Sequence, residues 1–300
     1  MNTISSQANT NTSEKEISKI KLIFQLLKFR LSFLVAFSAS FGYLLANKGE
    51  LNLLVLFGLS LGGFLMSGTA IIINQILEKD LDLLMKRTQL RPLPTARMSV
   101  QEAIICACVS GGLGLILLLL FTNPLTTLLS VFSMLMYGFI YTPLKRVGVI
   151  AVWVGAIPGA LPPLLGWVAA TGSITKEAIL IFAIQFVWQF PHFWAIAWVA
   201  DEDYKKAGFR LLPGKGEPNF GAALQIMWGT LLLIPVSLIP AYWQITGTVS
   251  AGVVLFAGLL FLFPTLKLLV SPTRQNALQI MFGSFIYLPV VQIAFLLDKI

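Results

Sequence analysis

The chain has 300 residues, of which 57% are apolar and only 11% charged, with a formal net charge of +8 and a mean hydropathy of +0.83. A soluble domain carries about 25% charged residues, so a purely soluble fold is excluded and an outer surface that meets lipid is expected. The two cysteines, Cys106 and Cys108, stand two apart in an apolar run and fit neither a disulfide framework nor a zinc site.

Residues 1–16, rich in Asn, Ser and Thr without apolar periodicity, read as a disordered cytoplasmic tail, and residues 17–300 as one transmembrane domain. Over residues 17–30, Ile17, Ile20, Phe24 and Leu27 fall on one helical face, interrupted by Lys19, Lys21, Gln25 and Lys28. That pattern predicts a helix lying on the membrane surface and leading into the first span. Nine apolar segments follow, at about 31–47, 53–77, 101–121, 125–142, 148–171, 178–200, 220–243, 249–270 and 277–297. The expected fold class is therefore an all-α integral membrane protein of about nine transmembrane helices. With the N-terminus cytoplasmic, all but three of the 21 Lys and Arg residues (Lys48, Lys176 and Lys299) lie at cytoplasmic ends or loops. This positive-inside distribution explains the net charge by topology, without nucleic acid as a partner.

Four runs carry chemistry. At the inner end of the second segment, Asn74, Glu78 and Asp82 follow at i, i+4 and i+8 and form one helical stripe drifting by about 40° per step. Two carboxylates and an amide make a hard-oxygen set suited to Mg²⁺ shared with substrate phosphate oxygens. Arg87 and Arg91, also four apart, add the donors a diphosphate leaving group requires. The bland alternative is a solvated, charged helix end.

At the end of the fourth segment, Tyr141 precedes Lys145 and Arg146, cations with reach to the same phosphates or simple interfacial charges. The fifth segment holds Gly155 and Gly159, a small-xxx-small face for close helix approach, and Pro158, Pro162 and Pro163, which should bend it. In the sixth, Gln185, Gln189 and His192 share a face, with Trp188 beside them and Asp201, Asp203 and Lys205 just beyond the helix end. His192 is the only histidine, and packing or substrate contact are equally open to it.

These runs resemble the UbiA-type intramembrane prenyltransferases, and within them the haem O synthases, over roughly residues 25–295. The most specific stretches are Asn74 through Leu93, Tyr141 through Arg146, Gly155 through Gly172, and Trp188 through Pro213. The resemblance implies nine helices around a central cavity open to the membrane, and two acidic motifs that bind farnesyl diphosphate through Mg²⁺. It implies transfer of the farnesyl group to a vinyl side chain of haem B, giving haem O and diphosphate for haem-copper oxidases. Asn74, Glu78, Asp82, Asp201 and Asp203 are then the metal set. Arg87, Arg91, Lys145, Arg146 and Lys205 hold diphosphate, and His192, Gln189, Trp188 and Tyr141 are haem candidates. Family analogy adds a haem A synthase or terminal oxidase assembly as partner and a bacterial inner membrane as location. Glu78 departs from the family pattern, which usually has aspartate there. The competing expectations are a prenyltransferase for an aromatic quinone precursor and a non-catalytic haem-binding transporter.

Overall fold

The computed structural model describes residues 18–300; the tail expected over residues 1–16 lies outside them. The described residues form helices α1 (Lys19–Leu26), α2 (Phe29–Ala46), α3 (Leu53–Leu77), α4 (Lys79–Asp82), α5 (Val100–Phe121), α6 (Pro124–Leu135), α7 (Thr142–Leu144), α8 (Ile150–Thr171), α9 (Lys176–Val199), α10 (Asp201–Lys206), α11 (Phe220–Tyr242), α12 (Thr248–Val270) and α13 (Arg274–Leu297). Nine spans among them are long and apolar enough to cross a bilayer, with α6 and α7 joined into one. They match the nine expected segments.

Several helices begin earlier than the apolar runs suggest, because polar caps set their starts. Asn52, Ser99, Asn123, Thr175, Asn219 and Thr273 each accept a backbone N–H from the first turn of the helix that follows. Ser99 and Glu102 complete a reciprocal capping box. Inside the bilayer each backbone donor needs such an internal partner.

The surface helix is shorter than expected and ends at an elbow, Leu27–Lys28, before α2. It uses two faces: Ile20 and Phe24 are exposed, whereas Leu22 and Leu26 are buried with Ile72, Leu93 and Met98. The fourth span departs more from a regular helix. Residues Met136–Tyr141 form a π-helical turn, which carries Tyr141 and Thr142 inward.

α8 and α9 are the interior helices, with most of their residues buried, whereas α5 turns most of its surface outward. α8 packs on α2, α6 and α9, while α9 also packs on α11 and α13; α13 returns to α2 and closes the bundle. The small residues of α8 act differently from the expectation. Gly155 and Gly159 do not form a helix–helix seam but receive side chains, the Tyr141 ring and the Gln189 amide. Backbone approach falls instead on Gly166 and on Gly42 of α2, where an added Cβ would meet Ala39 O and Pro163 O, each at 1.9 Å. Helix α2 comes close enough over the Pro163 carbonyl that only glycine fits there.

A buried polar network ties four helices. Ser38 Oγ donates to Gln185 Oε1 (2.9 Å). Gln292 Nε2 donates to Gln185 Oε1 (3.1 Å) and approaches Ser38 Oγ (2.9 Å). Gln185 Nε2 in turn donates to the Gly159 carbonyl (2.8 Å). In an apolar surround such groups are costly unpaired, so the network fixes the rotation of α2, α8, α9 and α13 together.

Gly42→Ala is expected to lower the thermal midpoint in detergent through a cost of about 1–3 kcal/mol or more. Gly63→Ala, with open space around it, should leave the midpoint unchanged or slightly raised.

Candidate active site

The basic end of the bundle gathers the inner ends of α3, α7 and α9 with the loops that follow α3 and α9. α3 and α4 meet at Glu78, whose φ −100° and ψ 9° interrupt the helix, but two bonds span the junction: Glu78 N–H donates to Asn74 O (2.9 Å) and Asp82 N–H to Glu78 O (2.8 Å). The stripe Asn74, Glu78, Asp82 therefore survives as expected. All three side chains are buried, at 3%, 5% and 0% exposure. Asn74 Nδ2 donates to Thr142 Oγ1 (3.0 Å), which leaves its carbonyl oxygen as the atom that can face a cation.

Each stripe carboxylate is engaged by a residue expected to bind diphosphate. Arg91 Nη1 donates to Asp82 Oδ2 at 2.6 Å. Lys145 Nζ lies 2.9 Å from Oε1 and 3.0 Å from Oε2 of Glu78, with only Oε2 in hydrogen-bonding geometry. Lys145 also lies 4.8 Å from the centre of the Tyr141 ring. Asp82 Oδ1 and Glu78 Oε1 are buried without a hydrogen-bond donor. The loop that returns Arg91 is held by Thr88 Oγ1, which donates to Asp82 O (2.9 Å), and by the buried Met85 and Leu93.

The second acidic run is placed differently. Asp201 pairs with Lys205 at 2.9 Å within α10, and this bond raises the Lys205 pKa. Asp203 Oδ2 accepts the Arg87 backbone N–H (3.1 Å), and its Oδ1 lies 3.6 Å from Lys206 Nζ. Burial works to raise the Asp203 pKa, but the Arg87 and Lys86 N–H groups and the Lys206 charge outweigh it and hold the carboxyl below the usual range. Asp203 thus clamps the first loop. Among the described residues, no three His, Cys, Asp or Glu side chains cluster as a ready metal cage. The five-residue metal set expected from sequence is therefore split, with Asn74, Glu78 and Asp82 together and Asp201 and Asp203 held on α10.

The cations also divide. Lys145 and Arg91 turn inward, whereas Arg146 and Arg87 are exposed, with the Arg87 guanidinium 5.9 Å from the Tyr204 ring centre. Deeper in the bundle, Trp188 Nε1 donates to the Ser284 carbonyl (3.1 Å) and stacks on His192 at 4.3 Å. His192 Nδ1 lies 2.8 Å from Ser284 Oγ, and that hydroxyl donates its one proton to Met281 O (2.6 Å). Nδ1 is therefore the donor, and Nε2 keeps its lone pair. Gln189 is buried against Gly159. Sequence reasoning singled out Gln185 but missed Thr142, Ser284 and the network partners Ser38 and Gln292; the one available signal was polar side chains inside apolar runs.

A bundle of nine spans with buried acid–base pairs at one end, above an aromatic interior, defines a membrane-embedded enzyme site. A sequence model of the UbiA prenyltransferase family matches residues 35–288, and the chain belongs to that family. The protoheme IX farnesyltransferase of Cytophaga hutchinsonii is 49% identical over 283 residues, covering 94% of this chain and 99% of that protein. The protein of the same name from Flavobacterium psychrophilum is 44% identical, covering 93% and 96%. A digeranylgeranylglyceryl phosphate synthase shares the fold with a TM-score of 0.78 at 20% identity, covering 94% of this chain and 99% of that one. A UbiA homologue from Archaeoglobus fulgidus bound to GPP and Mg²⁺ matches with a TM-score of 0.65 at 19% identity, covering 91% and 99%.

Asp203→Ala is expected to speed trypsin cleavage after Lys86 and Arg87 several-fold at pH 7, read by limited proteolysis and mass spectrometry. Because the Asp203 pKa is lowered, the stabilisation is complete above the ordinary aspartate range near about 4 and is lost only on acidification below it. Hydrogen exchange of the loop amides across that range checks the sign.

Proposed function

We propose that this chain transfers the farnesyl group of farnesyl diphosphate to a vinyl side chain of haem B, giving haem O and diphosphate. The observation that carries the reading is the pairing of buried Asp82 and Glu78 with Arg91 and Lys145, in a chain whose relatives at up to 49% identity bear the farnesyltransferase name.

The site fits a divalent cation. Asp82 Oδ1 is a buried oxygen without a donor, Glu78 Oε1 meets only the Lys145 charge, and hard oxygens are what Mg²⁺ takes. Asn74, Glu78 and Asp82 would hold the ion, with Asp201 and Asp203 joining only after release from their present partners. When bound, Mg²⁺ supplies charge neutralisation to the diphosphate oxygens.

The chain's own residues account for the remaining steps. Arg91 and Lys145, inward-facing and weakly solvated, stabilise the charge that builds on the departing diphosphate as the C1–O bond breaks. Arg87 and Lys205 reach from the rim; Arg146, exposed, is the weakest of the diphosphate candidates. The apolar, aromatic interior around Tyr141, Trp188 and Phe190 excludes water from the allylic cation until the vinyl π electrons form the new C–C bond. Water then adds to the remaining carbocation and loses a proton. His192, whose Nε2 carries no hydrogen bond, and Gln189 are assigned to the haem, an assignment that the open Nε2 supports. The enzyme sits in a bacterial cytoplasmic membrane with the basic end facing the cytoplasm, as the positive-inside charge distribution supports. A haem A synthase or an oxidase under assembly is the acceptor of the product.

The acid–base pairs have a thermodynamic consequence. Diphosphate must take Arg91 and Lys145 away from the carboxylates, and a cation must take their place, so the two ligands bind as one unit.

With haem B, farnesyl diphosphate and Mg²⁺, the purified protein is expected to form farnesylated hydroxyethyl haem, detected by mass spectrometry. Asp82→Asn should reduce turnover about a hundredfold or more. A prenylated product only from an aromatic acid acceptor would move the chain to the quinone branch. Separately, Glu78→Gln frees Lys145. It should strengthen pyrophosphate binding several-fold in the absence of divalent metal and erase most of the gain that Mg²⁺ gives the wild type, both read by calorimetry.

A further inference from the structure

The elbow between α1 and α2 places a lysine beside the site, which the apolar periodicity of residues 17–30 marks only as an interruption. Lys28 has φ 45° and ψ 61°, in the left-handed region that a residue with a Cβ rarely adopts. The conformation is held from both sides. Gln75 Nε2, one residue past Asn74, donates to Leu26 O (2.6 Å), and Ser32 Oγ donates to Leu27 O (2.8 Å). Leu27 fills the space over Gly68, where an added Cβ would lie 2.5 Å from its Cδ2. Leu26 and Leu27 share a buried cluster with Leu93, two residues from Arg91, so the elbow lies against the loop that carries the arginines. The flanking Phe29 and Leu31 are 48% and 42% exposed, whereas the Lys28 side chain is half-buried.

The charges that act on Lys28 are Arg91 and Arg87 from the loop, Lys145 beyond α7, and Asp82 of α4. Only Asp82 is favourable, and it is already paired with Arg91. Among the described residues Lys28 has no carboxylate partner of its own. A half-buried cation facing three others is unfavourable unless an anion joins them.

We propose that Lys28 is a further diphosphate-binding residue, completing with Arg87, Arg91 and Lys145 the set of cations around the leaving group. The proposal rests on the diphosphate site described above and deepens it. Burial first, and then Arg91, Arg87 and Lys145, lower the Lys28 pKa to about 7. At pH 8 the free protein therefore holds this lysine largely neutral. An arriving anion raises its proton affinity, so binding takes up a proton, which stays on the ammonium group facing the diphosphate oxygens.

The test is calorimetry on the full chain in nanodiscs at pH 8, with inorganic pyrophosphate and Mg²⁺, in two buffers of different ionisation enthalpy. Wild type should take up close to one proton more than Lys28→Met. Lys28→Met should bind pyrophosphate on the order of tenfold more weakly. Lys28→Arg should recover most of the affinity yet lose the proton uptake, since arginine is charged throughout. Unchanged affinity and uptake in Lys28→Met would overturn the proposal. So would weakened binding of haem B with pyrophosphate unaffected, which would give the lysine to a carboxylate of the acceptor. Arg91→Ala separates the two levels. If it loses pyrophosphate and Lys28→Met does not, only the Lys28 assignment falls; if neither does, the diphosphate site itself falls.

Discussion

Asp82 has no exposed surface, and the rest of the basic end is arranged so that its charge can be buried. An isolated carboxylate in a low-dielectric surround costs several kcal/mol, and only close pairing with further hydrogen bonds makes it tolerable. Arg91 supplies the pair at 2.6 Å, but it reaches Asp82 only because the intervening loop folds back on itself. Thr88 closes that loop on the Asp82 carbonyl, Met85 and Leu93 bury its apolar side, and Asp203 clamps its backbone from α10. The same economy repeats at Glu78 and Lys145, which links α3 to the end of the fourth span. One buried oxygen of Asp82 still lacks a donor, and an incompletely satisfied buried charge is a place made for a ligand.

The bundle interior meets the opposite constraint. With no apolar driving force between helices in lipid, close packing and interhelical hydrogen bonds must hold them together. The α2–α8 crossing uses Gly42 and Gly166 for contact of backbone on backbone. The Ser38–Gln185–Gln292 network then fixes the rotation of α9 and α13 against that pair. This rotation carries Trp188 and His192 to Ser284, so the tautomer of the only histidine follows from packing far from the charged end. The π-helical turn before α7 serves the same purpose locally. It shifts the register of the fourth span so that Thr142 meets Asn74 while Tyr141 fits over Gly155.

The charged end and the aromatic interior together separate two chemical needs. Leaving-group departure needs dense positive charge, which stands in the loops and at the helix ends. The carbocation needs dry, electron-rich walls, which the interior faces of α8 and α9 provide.

The sequence by itself determined the nine spans, because twenty or so consecutive apolar residues admit only a helix in lipid. It also determined the stripe Asn74, Glu78, Asp82, because the Glu78→Asn74 and Asp82→Glu78 backbone bonds keep the i+4 spacing across the turn between α3 and α4. Tertiary structure decided what spacing along the chain cannot encode. Asp203 is a loop clamp rather than part of one cluster with Asp82, because its partner N–H groups lie 116 positions or more away in sequence. Lys145 and Arg146 are neighbours, yet one faces Glu78 and the other faces out, because successive residues in helical backbone point about 100° apart and only packing decides which of them meets α3. Gly155 and Gly159 match a helix seam in pattern, but which neighbour fills a missing side chain is settled by three-dimensional contact alone. Lys28 was unreadable for the same reason. Its meaning comes from charges brought to it by a loop some sixty residues on, and electrostatic energy depends on distance through space rather than along the chain.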